Sequence, residues 1–202
     1  MSQSRPSGAP ERPPRARPLS ALRASDVRFV REGVDLVEPF SLAIPVGETA
    51  TLEQPTPFAA SLAARLCGAI VRPTSGTIFV GDYETRLQPP QAKRRVGFVD
   101  AAGFLGDAHT FACEVAFRAE CWNLDRAAAR DRATSVLAAF AIDALAIDGS
   151  DAREAAYARA VALALVADVS LVVLDRPPPS ILDRTRSLAN GASLLVTRVR
   201  GA

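Results

Sequence analysis

The run Ser170-Leu171-Val172-Val173-Leu174 narrows the choice of fold more than any other segment of this chain. Four consecutive apolar residues leave no polar face, which suits a strand covered on both sides, as in a parallel sheet flanked by helices. The neighbouring segments agree. Residues 152–167 are rich in Ala, Val and Leu and read as a largely buried helix leading into that strand, and Ser193–Thr197 supplies a further strand after Gly191. Upstream, Leu22–Val30, Phe40–Ile44, Glu48–Leu52, Thr77–Val80 and Val96–Val99 have the composition of strands. Phe58 to Ile70 reads as a helix, with Phe58, Leu62, Leu66 and Ile70 four apart on one face. A long Ala- and Arg-rich helical zone covers roughly 111–145. Strands alternating with helices predict an α/β fold with a mostly parallel sheet and an inserted helical region.

At 202 residues the chain suffices for one domain with a sizeable core. Residues 1–18 carry five prolines among Arg, Ser and Gly, a composition that cannot bury enough apolar surface to order itself. They are expected to form a disordered leader, with the domain spanning 19–202. Much of the net charge of +2 sits there, on Arg5, Arg12, Arg15 and Arg17 against Glu11. The remainder is close to neutral, so a nucleic-acid partner is not expected. No apolar run is long enough to span a membrane and no secretory h-region is visible, which points to the cytoplasm.

Three cysteines (Cys67, Cys113 and Cys121) are an odd count without C-x-x-C spacing, and are expected to be small buried hydrophobes in a reducing compartment. His109 is the only histidine, so a Cys/His zinc site has too few plausible ligands. It is expected in a loop. Phe111, Phe117 and Trp122 are expected in the core of the helical zone.

A strand, a tight loop and a helix N-terminus pointing at that loop make the usual phosphate site. That arrangement falls at Thr49–Ile70, but the loop reads Gln54-Pro55-Thr56-Pro57-Phe58-Ala59-Ala60-Ser61. It lacks the glycines and the lysine that cradle phosphate. Its frame is more informative. Gly47-Glu48 before the loop, Leu66-Cys67-Gly68 at the helix end and Arg72-Pro73-Thr74-Ser75-Gly76 after it resemble, in register, the ATP-binding (nucleotide-binding) domain of ABC transporters. Arg94–Val99 is similar to that family's strand before the Q-loop, with Ala101 in the glutamine's place. Asp151-Ala152-Arg153-Glu154-Ala155 falls where the LSGGQ signature belongs. Leu171–Asp175 resembles a Walker B strand, followed by Arg176 where the family has its glutamate. Ser180-Ile181-Leu182-Asp183 is similar to the D-loop, one residue out of step, and Val199 takes the place of the switch histidine.

The resemblance implies a P-loop NTPase-like fold, a mostly parallel sheet core with a small β subdomain and an inserted helical subdomain over about 104–150, and, by the substitutions, a degenerate member. Ala60 replaces the Walker A lysine and Pro57 removes a backbone donor. At about 1.5–3 kcal/mol for each hydrogen bond to a charged group, losing two weakens nucleotide binding by roughly 10²–10⁴-fold. Three residues still match a nucleotide site: Phe29 as the adenine-stacking aromatic, Ser61 facing magnesium and Asp175 supporting it. Each has a structural alternative: Phe29 as core, Ser61 as a first-turn capping residue, Asp175 as a cap at a strand end. No catalytic residue and no metal site are expected, and no cofactor beyond weak residual ATP and magnesium binding. The implied partners are a transmembrane permease, which would hold the chain peripherally at the inner face of the membrane, and a second ATPase subunit or a second copy. The implied role is structural or regulatory; a stand-alone interaction module is the alternative, and an active ATPase ranks last.

Overall fold

The computed structural model describes residues 20–140, 152–189 and 191–201. The chain opens with β1 (Ser20–Arg28), the short hairpin β2 (Val30–Arg31) and β3 (Val34–Asp35), then β4 (Phe40–Pro45) and β5 (Thr49–Gln54). Helix α1 (Pro57–Cys67) leads to β6 (Ser75–Val80), β7 (Tyr83–Glu84), the short α2 (Pro89–Lys93) and β8 (Val96–Val99). Helices α3 (Ala108–Trp122), α4 (Arg126–Ala139) and α5 (Ala152–Ala164) follow. The described part closes with β9 (Leu171–Asp175), α6 (Pro179–Leu188) and β10 (Ser193–Val199).

Two four-stranded sheets result. One is antiparallel in the order β4-β1-β6-β7; the other is parallel in the order β5-β10-β9-β8. The parallel sheet is covered on both faces, as the sequence predicts. Successive side chains of a strand point to opposite faces, and β9 divides accordingly. Val172 and Leu174 join Leu194 and Val196 in a core shared with α3 to α6, whereas Leu171 and Val173 join Leu195 in a core shared with α1 and the antiparallel sheet. Close approach needs small residues at one crossing. A Cβ on Gly97 of β8 would lie 2.8 Å from the carbonyl oxygen of Ala164 on α5.

Several boundaries differ from the sequence reading. Pro57 is not in the loop: it is the first residue of α1, where a missing N–H costs nothing. The face expected from Phe58, Leu62, Leu66 and Ile70 is buried only in its middle. Phe58 is 63% exposed and Ile70, beyond the helix end, 48%. At 3.6 residues per turn, a four-residue step drifts by about 40°, so four such residues spread around the helix. Leu62 and Leu66 of the expected set are buried, together with Ala59, Ala60, Ala63, Ala64 and Cys67, so the buried face is wider and rotated away from the two ends of that set.

The helical zone is two helices. Asn123 adopts a left-handed conformation (φ 54°) and caps α3, after which the Asp125 side chain caps α4. The expected continuation past Phe140 lies outside the described residues, as do the leader and Asp151. Ser180–Asp183 is not a loop: it is helical, within α6. The hairpin β2–β3, strand β7 and helix α2 have no counterpart in the sequence reading because two to five residues are too few to show periodicity.

Candidate functional site

The carboxyl end of the parallel sheet meets the N-terminus of α1, and Ser61, Asp175, Arg176 and Thr197 converge there. Thr56 stands at the N-cap of α1 and its Oγ1 accepts the Ala59 N–H at 3.1 Å. Pro57 has no N–H to give, and the Ala60 N–H bonds to the Thr56 carbonyl. Ala60, in the lysine's place, is fully buried against the core. The helix N-terminus is thus closed largely on its own residues.

Ser61 and Asp175 are brought together. The Ser61 hydroxyl donates to Asp175 Oδ2 at 2.6 Å. Asp175 ends β9 and is fully buried. Its other oxygen, Oδ1, accepts the Thr197 hydroxyl at 3.2 Å, from the residue paired with it on β10. Buried Tyr157, on α5, donates its hydroxyl to the Asp175 carbonyl at 3.2 Å. Burial first, and then the negative charges of Asp175 and Asp100, push the Tyr157 phenol far above its usual range, so it stays a donor.

Arg176 completes the cluster in a way its sequence position does not announce. Its Nε–H donates to Asp175 Oδ1 at 3.2 Å and its Nη2 donates to Ser61 Oγ at 3.0 Å. The guanidinium therefore lies against both residues that a working P-loop would turn toward magnesium. The backbone bends to allow this. Arg176 has φ 49°, a left-handed conformation that costs a residue with a Cβ about 1–2 kcal/mol. Its own N–H offsets part of that cost by bonding the Thr197 carbonyl at 3.1 Å.

A second ion pair flanks the cluster. Arg65 of α1 holds Asp100 at 2.9 Å, just after β8. Burial pushes the Asp100 carboxyl up, but the Ala102 N–H, the Arg65 guanidinium and the charge of Arg176 outweigh it and hold the group below its usual range. Pro57, Phe58, Ser61, Leu62, Arg65 and Arg176 line an open pocket of about 220 Å³. Phe29 is not among them. It follows β1, packs partly buried against the core around α1, and accepts the Leu36 N–H at 2.9 Å.

On the far side, Gln54 is a buried clamp rather than a loop residue. Its amide oxygen accepts the Glu38 N–H at 2.8 Å and its amide nitrogen donates to the Glu38 carbonyl at 3.3 Å. The Q-loop position Ala101 follows Asp100 in a turn, and Gly103 nearby comes so close to α5 that a Cβ would fall 2.5 Å from the Ala156 backbone. Of the signature positions, Ala152 to Ala155 form the first turn of α5, with Glu154 accepting the Ser180 hydroxyl at 2.6 Å.

Other expectations change. Cys67 is buried, and burial pushes its thiol up to about 12, but Cys113 and Cys121 are exposed. His109 is in α3, not in a loop. Phe111 is buried, Trp122 is half-buried, and Phe117 is 60% exposed. Thr197 and Tyr157 escaped the sequence reading. The polar ends of two adjacent apolar strands, Asp175 and Thr197, were the available signal for one; nothing in the sequence signals the other.

No protein-family model matches the chain, and no curated protein matches it. Solved structures do. An ATP-binding subunit of an ABC transporter superposes with a TM-score of 0.69 at 17% identity, covering 90% of this chain and 80% of its own. CbiO1 from Clostridium perfringens, part of the ABC transporter complex CbiONQ, gives 0.65 at 17%, covering 89% and 78%. A dimeric ATP-binding cassette in a post-hydrolysis state with ADP and Pi gives 0.66 at 16%, covering 87% of both chains. The chain has the P-loop NTPase-like fold of the ABC ATPases.

Proposed function

We propose that this protein is a cassette-fold subunit that does not hydrolyse ATP and serves an ABC-type, exporter-like transport complex as a scaffold or restraint. The reading rests on one observation: the Arg176 guanidinium engages Ser61 and Asp175 together. Magnesium demands near-ideal octahedral oxygen geometry at about 2.0–2.1 Å, and here a charged side chain already holds the oxygens it would use. A cation at that point would also face Arg176 at close range. Buried Ala60 offers no charge to a phosphate, and the first turn of α1 has spent its Ala59 and Ala60 donors within the chain.

The likeness to CbiO1, a component of a transporter complex, supports a permease partner at the inner face of a membrane, and the dimeric cassette supports pairing with a second ATPase-like subunit or copy. Among the described residues no helix is long and apolar enough to cross a membrane, so attachment would come through the partner.

Titration calorimetry with Mg-ATP tests the reading. No heat of binding is expected at micromolar nucleotide. Micromolar affinity overturns it, as does ATP turnover that Asp175→Ala abolishes.

A further inference from the structure

Helices α3 and α4 are joined by only three residues and pack side by side as an αα-hairpin. A groove of about 500 Å³ runs along the hairpin and shares no lining residue with the pocket beside Arg176. Its floor is the core itself: Phe111, Val115, Ala133 and Leu137 all line it and all are buried. On the α3 side Ala108, Ala112 and Ala116 recur every four residues, so that rim is cut down to methyl groups. The volume lies in the range of small-molecule sites, which are mostly apolar with a few placed polar groups.

The dimensions select the shape of the occupant. From Arg126 to Leu137, the ends of the lining on α4, the helix rises about 16 Å. A partner helix of that length, about 10 Å across, needs roughly 1,200 Å³, more than twice what the groove offers. A single unbranched hydrocarbon chain is narrow enough to lie in it. The charge selects the head group. Arg126 and Arg130 line the groove on the first turns of α4, and Thr134 is the one other polar lining residue. Glu120 pairs with Arg126, and the Asp125 carboxylate accepts the Ala128 N–H at the helix cap. Arg130 is exposed and, among the described residues, takes part in no ion pair. Its planar guanidinium presents paired N–H donors that match a carboxylate.

We infer that the α3–α4 groove binds a free medium-chain fatty acid, its carboxylate on Arg130 and its acyl chain laid over Phe111, Val115 and Leu137. The site is independent of the proposed function. Each methylene moved from water onto an apolar floor strengthens binding about four-fold, so affinity climbs with chain length until the groove is full. The carboxylate adds a charge-assisted hydrogen bond that an alcohol of the same length cannot form as strongly.

Titration calorimetry of the full chain with octanoate, decanoate and dodecanoate, each below its micelle concentration, tests the site. Affinity is expected to rise about 15-fold for each two-carbon step. Decanol should bind about ten-fold more weakly than decanoate. R130Q should remove that difference by weakening decanoate alone, and A112F, which sets a ring into the groove, should abolish binding of both. Both substituted positions are exposed, and circular dichroism checks that the variants fold. If either does not, the chain-length series and the decanoate-to-decanol ratio of the unaltered chain carry the decision. No binding of dodecanoate, equal affinity for octanoate and dodecanoate, or undiminished binding in A112F overturns the inference. So does Arg130-dependent sedimentation with anionic phospholipid vesicles by a chain that ignores free dodecanoate, which would assign the groove to a membrane surface.

Discussion

The body of the parallel sheet and its carboxyl edge obey different rules. In the body, β9 and β10 present alternate apolar residues to two cores, and every residue of β9 is buried. Many other apolar sets of similar size would pack as well. At the edge, Ser61, Asp175, Arg176 and Thr197 depend on individual hydrogen bonds, and one replacement changes the chemistry outright. The framework persists at about one-sixth identity to solved cassettes, and at its edge the Arg176 guanidinium bonds Ser61 and Asp175.

The contrast can be broken by measuring whether the edge stabilises the molecule as the body does. Leu195→Ala empties a fully buried site in the central sheet and is expected to cost about 3–4 kcal/mol in urea unfolding. Asp175→Ala should cost about 2–3 kcal/mol, because it leaves Arg176, Ser61 and Thr197 without their shared acceptor. A loss below about 0.5 kcal/mol would show that the cluster contributes no structural tie. Ser61→Ala removes one bond given and one received, and about 1–2 kcal/mol should disappear. Thr56→Ala, which uncaps α1, should cost about 1 kcal/mol. The smallest effect concerns reactivity alone. At pH 8 a maleimide should label Cys113 and Cys121 readily and leave Cys67 protected until the chain unfolds, since Cys67 is fully buried and burial pushes its thiol up to about 12. Equal labelling of Cys67 in the native state would mean that α1 opens freely.

The body was legible in the sequence because burial on both faces leaves an apolar run, and Leu171–Leu174 is one. Ser61 and Asp175 were singled out by their resemblance to nucleotide-site residues, and the structure shows them hydrogen-bonded to each other. The contact between Arg176 and Ser61 was not. By the resemblance its position is that of the family's glutamate, but only the left-handed turn at Arg176 carries the guanidinium back over the strand end, and backbone sign does not show in a residue name. Gln54 was placed in the loop by the sequence reading, whereas it ends β5 and its buried amide fastens the Glu38 backbone. Short elements such as β2, β3 and α2 were lost because their stability comes from neighbours rather than from their own pattern.

The left-handed turn at Arg176 has a kinetic consequence. A cation fixed to the backbone beside its own carboxylate has no dissociation step, and its local concentration is set by the reach of one side chain rather than by the solution. An ion drawn from the medium would come and go with supply. The tethered one stays beside Asp175 and Ser61 whatever the ion content of the medium.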